Sequence, residues 1–169
     1  MTHLQLHLNE NEGFALNFTD SLVSKSYSYS EIKELRAFAK QHEITLIPDF
    51  DSPGHMSHLL KSKPEFALPD TNQQPVDVTN QAAIDWLLKI IDEIIDFFPD
   101  SKIFHIGGDE FIDFRQIENY PYLLEKARQK YGSEARDLEY YYEYINQLAR
   151  HLSQKGKRVR IWNDGFLRK

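Results

Sequence analysis

Leu4, Leu6 and Leu8 alternate with Gln5 and His7 at the start of the chain, and this period of two predicts a strand over residues 2–8. The period then changes. Ile32, Leu35, Phe38 and Ala39 recur at helical spacing, predicting a helix that opens at Ser30-Glu31 and ends near His42. Glu43 to Asp49 predicts a second strand. Thr79 is the expected cap of an apolar helix in which Ile84, Leu87, Leu88, Ile91, Ile94, Ile95 and Phe98 cover the wide face of a helix pressed on a sheet. A third strand is expected over 101–107, an amphipathic helix from Leu138 to Gln154 with Gly156 as its stop, and a last strand over 158–162. Residues 9–29, 51–78 and those after Glu110 read as loops. Pro53, Pro64, Pro69 and Pro75 lie in the second of these.

Strands that alternate with helices dictate a parallel sheet with right-handed crossovers. The expected fold class is α/β, with about four parallel strands and three main helices. An open sheet satisfies that order. Long loops after the strands and short returns after the helices point instead to a partial (β/α)8 TIM barrel, and 169 residues fall short of the roughly 250 such a barrel uses. Residues 1–169 are therefore read as one partial catalytic domain.

Composition narrows the chemistry. Hydrophobic residues make up 41%, enough for a core, and a formal charge of −6 leaves no basic face for nucleic acid. The chain has no cysteine, so thiolate metal sites and disulfides are excluded. No apolar run reaches the roughly 18 residues of a membrane span, and no signal peptide is recognisable, which makes a cytoplasmic location the default expectation.

Every expected strand ends, on its C-terminal side, in polar and acidic residues: Asn9-Glu10-Asn11-Glu12, Asp49 to His55, Gly107-Gly108-Asp109-Glu110, and Trp162-Asn163-Asp164-Gly165. Ligands of parallel α/β folds bind at that edge. Asp109 and Glu110 follow two glycines that strip bulk from the backbone. On a strand adjacent side chains face opposite ways, so two environments and two roles are expected, although an Asp-Glu pair also suits a helix start.

His105-Ile106-Gly107-Gly108-Asp109-Glu110 resembles the His-x-Gly-Gly-Asp-Glu motif of the family 20 glycoside hydrolases, the β-N-acetylhexosaminidases. Pro48 to His55 and His7-Leu8-Asn9-Glu10 resemble two further segments of that family. Phe111, Asp51-Ser52-Pro53, His55-Met56 and Trp162-Asn163-Asp164-Gly165 are most similar to the dispersin branch, biofilm-degrading hexosaminidases. The resemblance runs from end to end.

It implies substrate-assisted retaining catalysis, in which the 2-acetamido group is the nucleophile. Glu110 is then the general acid and base, and Asp109 orients the acetamido N–H. His55 lies beside Glu110 with Glu10 as its partner, Asp51 lines the pocket, Trp162 is a wall of the acetamido pocket, and Asp164 is a further substrate contact. His7 and His105 are donors behind the site. In their own right, His55 and Asp51 also read as turn and surface residues, and Trp162 as core. The run Tyr140-Tyr141-Tyr142 reads as helix packing. The family usually carries Asp in place of Glu10 and Glu in place of Asp49, a one-methylene change at each. No cofactor or metal is expected; a metal hydrolase built on His105, Asp109 and Glu110 is a weaker alternative, because His105 and Asp109 need not share a strand face. The expected partner is a glycan containing N-acetylglucosamine, attacked as β-1,6-linked poly-N-acetylglucosamine. A half-barrel also leaves two bare strand edges, so a homodimer or larger assembly is expected to cover them. An inactive fragment or a carbohydrate-binding remnant, needing missing strands or a partner chain for activity, is the alternative.

Overall fold

The computed structural model describes residues 2–17, 26–72, 74–136 and 138–163. The chain runs through β1 (His3–His7), a hairpin of β2 (Asn9–Glu10) and β3 (Gly13–Phe14), α1 (Tyr29–Gln41), β4 (Thr45–Asp49) and a short α2 (Ser57–Leu60). There follow α3 (Gln81–Phe97), β5 (Ile103–His105), α4 (Pro121–Tyr131), α5 (Leu138–Gln154) and β6 (Arg158–Arg160). Strands β1, β4, β5 and β6 form one sheet in that order, and every pair is parallel. This is the α/β architecture that the periodicities predict. Neighbours in the sheet are also successive along the chain, so each connection crosses to the adjacent strand.

Burial explains the helices. On α3, Ala83, Ile84, Leu87, Ile90, Ile91, Ile94 and Phe97 are buried. On α5 the buried face is Tyr140, Tyr141, Tyr144, Ile145, Leu148 and Leu152. Between them, the central strands β4 and β5 are buried along nearly their whole length, as sheets covered by helices are. The outer strands β1 and β6 carry only half-buried and exposed residues, and neither has a strand on its outer side among the described residues.

Four details depart from the sequence reading. Helix α1 starts at Tyr29, because Ser28 and Glu31 form the capping box: the Glu31 amide donates to Ser28 Oγ at 3.3 Å and the Ser28 amide to the Glu31 carboxylate at 2.7 Å. Its buried stripe is Ile32 and Ala39, two turns apart, while Leu35 and Phe38 flank it at 37% and 60% exposure. Helix α3 is capped by Asn80, which accepts from the Ala82 amide at 3.0 Å, whereas the Thr79 hydroxyl donates to Asp77 at 2.7 Å. The segment after Glu110 is not all loop. It contains α4, which carries Pro121 in its first turn and stops at Gly132 with φ of 106°. Only Leu123 and Ala127 of α4 are buried, too sparse a stripe to show as a period. No helix among the described residues is long and apolar enough to cross a membrane.

Register sets the stage for the site. His7 pairs with Asp49, Asp49 with His105, and His105 with Arg160, so the last residues of all four strands form one row across the sheet. The loops that follow rise together from that edge.

Candidate active site

The ladder continues past the row through backbone bonds. Phe50 N–H donates to His105 O at 3.0 Å, Ile106 N–H to Arg160 O at 3.0 Å, and Trp162 N–H to Gly107 O at 2.9 Å. The chain then turns sharply, with φ of 65° at Gly107 and 90° at Gly108. Space leaves no alternative to glycine. A Cβ on Gly107 would stand 1.9 Å from Asp51 Oδ1, and one on Gly108 would stand 2.7 Å from Ile161 Cδ1. Glu110 also takes a left-handed φ of 44°, and His55 one of 53°, conformations that a side chain adopts only when its surroundings over-determine it.

Helix α5 and the β1 end hold these loops from below. The Tyr141 hydroxyl donates to the Gly108 carbonyl, and Tyr144 Oη donates to Ser52 Oγ at 2.7 Å. Asn9, buried after β1, clamps the backbone of Asp51 twice: its Nδ2 donates to Asp51 O at 2.7 Å and its Oδ1 accepts the Asp51 amide at 2.8 Å. In the sequence none of these three residues has a role at the site: Tyr141 reads as helix packing and Asn9 as part of the His7 to Glu10 segment. Tyrosines three apart on the buried face of α5, and an asparagine closing an apolar strand, are the signals that could have shown one.

The floor is a carboxylate among histidines. Asp49 Oδ1 lies 3.0 Å from His105 Nδ1, and its Oδ2 is 3.2 Å from His7 Nδ1 and 2.9 Å from the donor Gln5 Nε2. Burial would push Asp49 up, but His105, His7 and Gln5 outweigh it and hold the carboxyl at about 2. The hydrogen bond to Asp49 in turn raises His7. From His7 a line of alternating groups climbs to the rim. His7 Nε2 stands 3.6 Å from Glu10 Oε2, Glu10 Oε1 2.7 Å from His55 Nδ1, and His55 Nε2 3.5 Å from Glu110 Oε2. Burial tends to raise Glu10; bonds from the Asn11 amide and His55 leave it lowered.

Asp51 lies beneath Asp109 at 2% exposure, its Oδ1 accepting the Gly108 amide at 3.2 Å. Its pKa is raised to about 9, first by burial, then by its side-chain contact with Asp109 and by the charges of Asp109 and Asp49. Asp51 therefore keeps its proton at neutral pH. Asp109 Oδ1 and His55 Nε2 are both buried without a hydrogen-bond partner.

The structure thus brings Glu10, Asp51, His55, Asp109 and Glu110 into one constellation. His7 and His105 stand behind it on Asp49. The Trp162 ring lies at the edge, 43% exposed and tilted on His105 with ring centroids 4.6 Å apart. Asp164 falls outside the described residues. For a cation, the group within reach is Asp51, His55 and Asp109, whose ligand atoms lie within 4.8 Å of one another. His105 is not a member of it, since its ring is buried against Asp49 and Trp162.

The family model of the glycosyl hydrolase family 20 catalytic domain matches residues 1–169. Among curated proteins, the chain is 32% identical over 145 residues to lacto-N-biosidase of Bifidobacterium bifidum, an alignment that covers 83% of this chain and 13% of that protein. With β-hexosaminidase subunit beta of Homo sapiens it shares 27% identity over 152 residues, 85% of this chain and 27% of the relative. Flavobacterium johnsoniae chitobiase superposes with a TM-score of 0.83 at 24% identity, covering 100% of this chain and 28% of that one. Dispersin B gives a TM-score of 0.70 at 25% identity, with 94% and 48% covered. The chain spans between 13% and 27% of the length of the first curated relatives it matches.

Proposed function

This chain belongs to glycosyl hydrolase family 20, and from that premise we propose that residues 1–169 act as one partial catalytic domain of a β-N-acetylhexosaminidase. The observation that carries the reading is Asp109 Oδ1, buried without a hydrogen-bond partner beside the His55 ring, whose Nε2 lies 3.9 Å from Asp109 Oδ2 and 3.5 Å from Glu110 Oε2. Asp109 Oδ1 is an acceptor in want of a donor, and an acetamido N–H supplies one.

In the proposed reaction the acetamido carbonyl oxygen of the substrate bonds to its own anomeric carbon while the bond to the leaving oxygen breaks. Glu110 gives its proton to that oxygen. Asp109, with Asp51 protonated beneath it, accepts the acetamido N–H and offsets the positive charge of the oxazolinium ring. Water then adds to the anomeric carbon as its bond to the acetamido oxygen breaks and the acetamide is restored, the water's proton returns to Glu110, and the configuration is retained. His55, oriented by Glu10, faces Glu110 and steadies it in both steps. Positioned proton transfer of this kind contributes roughly 10²–10⁴-fold in rate. Dispersin-like motifs favour β-1,6-linked poly-N-acetylglucosamine as the polymer attacked.

Among the described residues, β1 and β6 each carry no strand on their outer side, so four further strands would close eight. A second copy related by a two-fold axis along the barrel supplies that number, with β6 of each protomer beside β1 of its partner.

Release of p-nitrophenol from its β-N-acetylglucosaminide by the purified chain and by Glu110→Gln, with mass in solution measured by light scattering on the same samples, tests the reading. Turnover that falls at least a hundredfold in the variant, in a dimer, supports it. Turnover equal in both proteins overturns Glu110 as the acid. Absence of turnover together with retained sugar binding favours a carbohydrate-binding remnant.

A further inference from the structure

His7 stands between two carboxylates, one buried and one at the rim. Its Nδ1 lies 3.2 Å from Asp49 Oδ2, and its Nε2 lies 3.6 Å from Glu10 Oε2. Glu10 in turn divides its oxygens: Oε1 accepts the Asn11 amide at 2.9 Å and lies 2.7 Å from His55 Nδ1, while Oε2 is turned to His7. The carboxylate that orients His55 is therefore fixed from two sides. A neutral imidazole has one N–H and one lone pair, and a carboxylate can only accept. One neutral ring can thus donate to Asp49 or to Glu10; only an imidazolium donates to both. Asp49 and Glu10 are each held below the ordinary carboxylate range, so both are anions while His7 titrates. The charged and titratable groups around the ring are Asp49 from β4 and Glu10 from β2, with His105 on the other oxygen of Asp49 and His55 on the other oxygen of Glu10.

We infer that His7 is a positioning residue that makes the site sensitive to pH: as an imidazolium it ties the buried Asp49 to Glu10, and on losing its proton it lets Glu10 go. The inference rests on the proposed function, in which Glu10 acts by orienting His55 beside Glu110. The two ring nitrogens then have separate tasks. When the ring is neutral, its one N–H goes to Asp49, which is 1% exposed and has no water to replace a lost donor, whereas Glu10 is 44% exposed and can be hydrated. Nδ1 therefore serves the fold in both charge states, and Nε2 serves the site only below the His7 midpoint. The hydrogen bond to Asp49, and then the charges of Asp49 and Glu10, outweigh burial and raise His7 above its ordinary value. Glu10 thus stays held through about pH 6.5, where a free histidine is half neutral, and is released as pH rises through the higher midpoint.

Side chains that imitate one nitrogen at a time separate the two tasks. In His7→Asn the amide nitrogen stands near the place of Nδ1 and keeps the bond to Asp49; in His7→Gln it stands near the place of Nε2 and keeps the hold on Glu10. Imidazole-nitrogen NMR of the full chain, in the assembly it forms in solution, is followed against pH for the parent and both variants. In the parent, both His7 nitrogens are expected to carry protons at about pH 6.5, and the His55 signals to show an inflection at the His7 midpoint. Both variants should lose that inflection, with His55 fixed in the parent's low-pH form in His7→Gln and in its high-pH form in His7→Asn. In turnover of the p-nitrophenyl substrate, His7→Asn should lower kcat about tenfold with KM within about twofold, and His7→Gln should lose the alkaline fall that coincides with the His7 midpoint. A His7 ring with a single protonated nitrogen at about pH 6.5 overturns the bridge. His55 signals that ignore the His7 midpoint, or that agree between the two variants, overturn the positioning role. A parent that shows no turnover, yet whose His55 signals follow His7, removes the proposed function and leaves the tie between Asp49 and Glu10 standing.

Discussion

The Tyr141 hydroxyl donates to the Gly108 carbonyl, so helix α5 holds the peptide on which Asp109 is mounted. Replacing Tyr141 by Phe keeps the ring in its buried site and removes the hydroxyl that makes that bond. The orphaned carbonyl costs about 1–3 kcal/mol in chemical denaturation. Amide NMR shifts should change at Gly108 and Asp109 while those of β1 stay in place. A variant as stable as the parent would show that the bond does not hold the turn.

Gly107→Ala should be far more damaging than its size suggests. The added carbon would meet Asp51 Oδ1 at 1.9 Å and the Asp51 Cα at 2.5 Å, on a backbone whose φ is 65°. Strain and clash together cost on the order of 3 kcal/mol or more. Gly132→Ala, where nothing lies within 4 Å of the added carbon, is the matched control at another positive φ of 106°. A melting temperature lowered much more in the first variant than in the second checks this.

Asp51→Asn should stabilise the protein at neutral pH. In the folded chain Asp51 keeps its proton to about 9, whereas the unfolded chain loses it near the ordinary carboxylate value of 3.8. Between those limits the unfolded state binds fewer protons, so folding stability falls as pH rises, by at most about 1.4 kcal/mol per pH unit from this group. Asparagine removes the slope and still offers an oxygen to the Gly108 amide. Stability against pH for the two proteins should converge below about pH 4 and diverge above it. Parallel curves would mean that Asp51 does not keep its proton.

Asp49 has the opposite sign. Its pKa is lowered to about 2 from 3.8, so its contribution is fully present above about pH 4 and is lost as pH falls through 2. Acid unfolding in that window should be shallower in Asp49→Ala. At neutral pH the same variant should lose about 3–5 kcal/mol, because His105 and Gln5 are left without their acceptor. Urea titration at pH 7 and acid titration at fixed temperature measure the two effects separately.

Sheet, helices and strand order were legible because each is written as a period: two in β1, 3.6 in α3 and α5, and continuous apolar runs in β4 and β5. The acid pair was legible from the motif around Gly107 and Gly108. What the periods did not carry were contacts made by single polar atoms. Asn9, Tyr141 and Tyr144 read as strand end and helix face, and their amide and hydroxyl groups disclose a purpose only when loops far along the chain are brought against them. Helix α4 escaped for a related reason: it lies on the surface with a sparse buried stripe, so its start at Pro121 and stop at Gly132 were the only marks it left. The burial of Asp51 beneath Asp109 was equally hidden, since it depends on the sharp turn at Gly107.

The agreement between strand order in the sheet and strand order in the chain has a bearing on how the molecule is made. Each new strand finds its partner already present: β4 docks on β1, β5 on β4, and β6 on β5. Contacts are thus completed between successive units, with loop-closure cost met in small steps. Synthesis from the N-terminus then delivers the site in layers, the His7 and Asn9 supports first, the Asp49 to His55 segment next, and the acid pair after its foundations. On a ribosome the sheet would thus grow at the edge of its newest strand, the one awaiting the next.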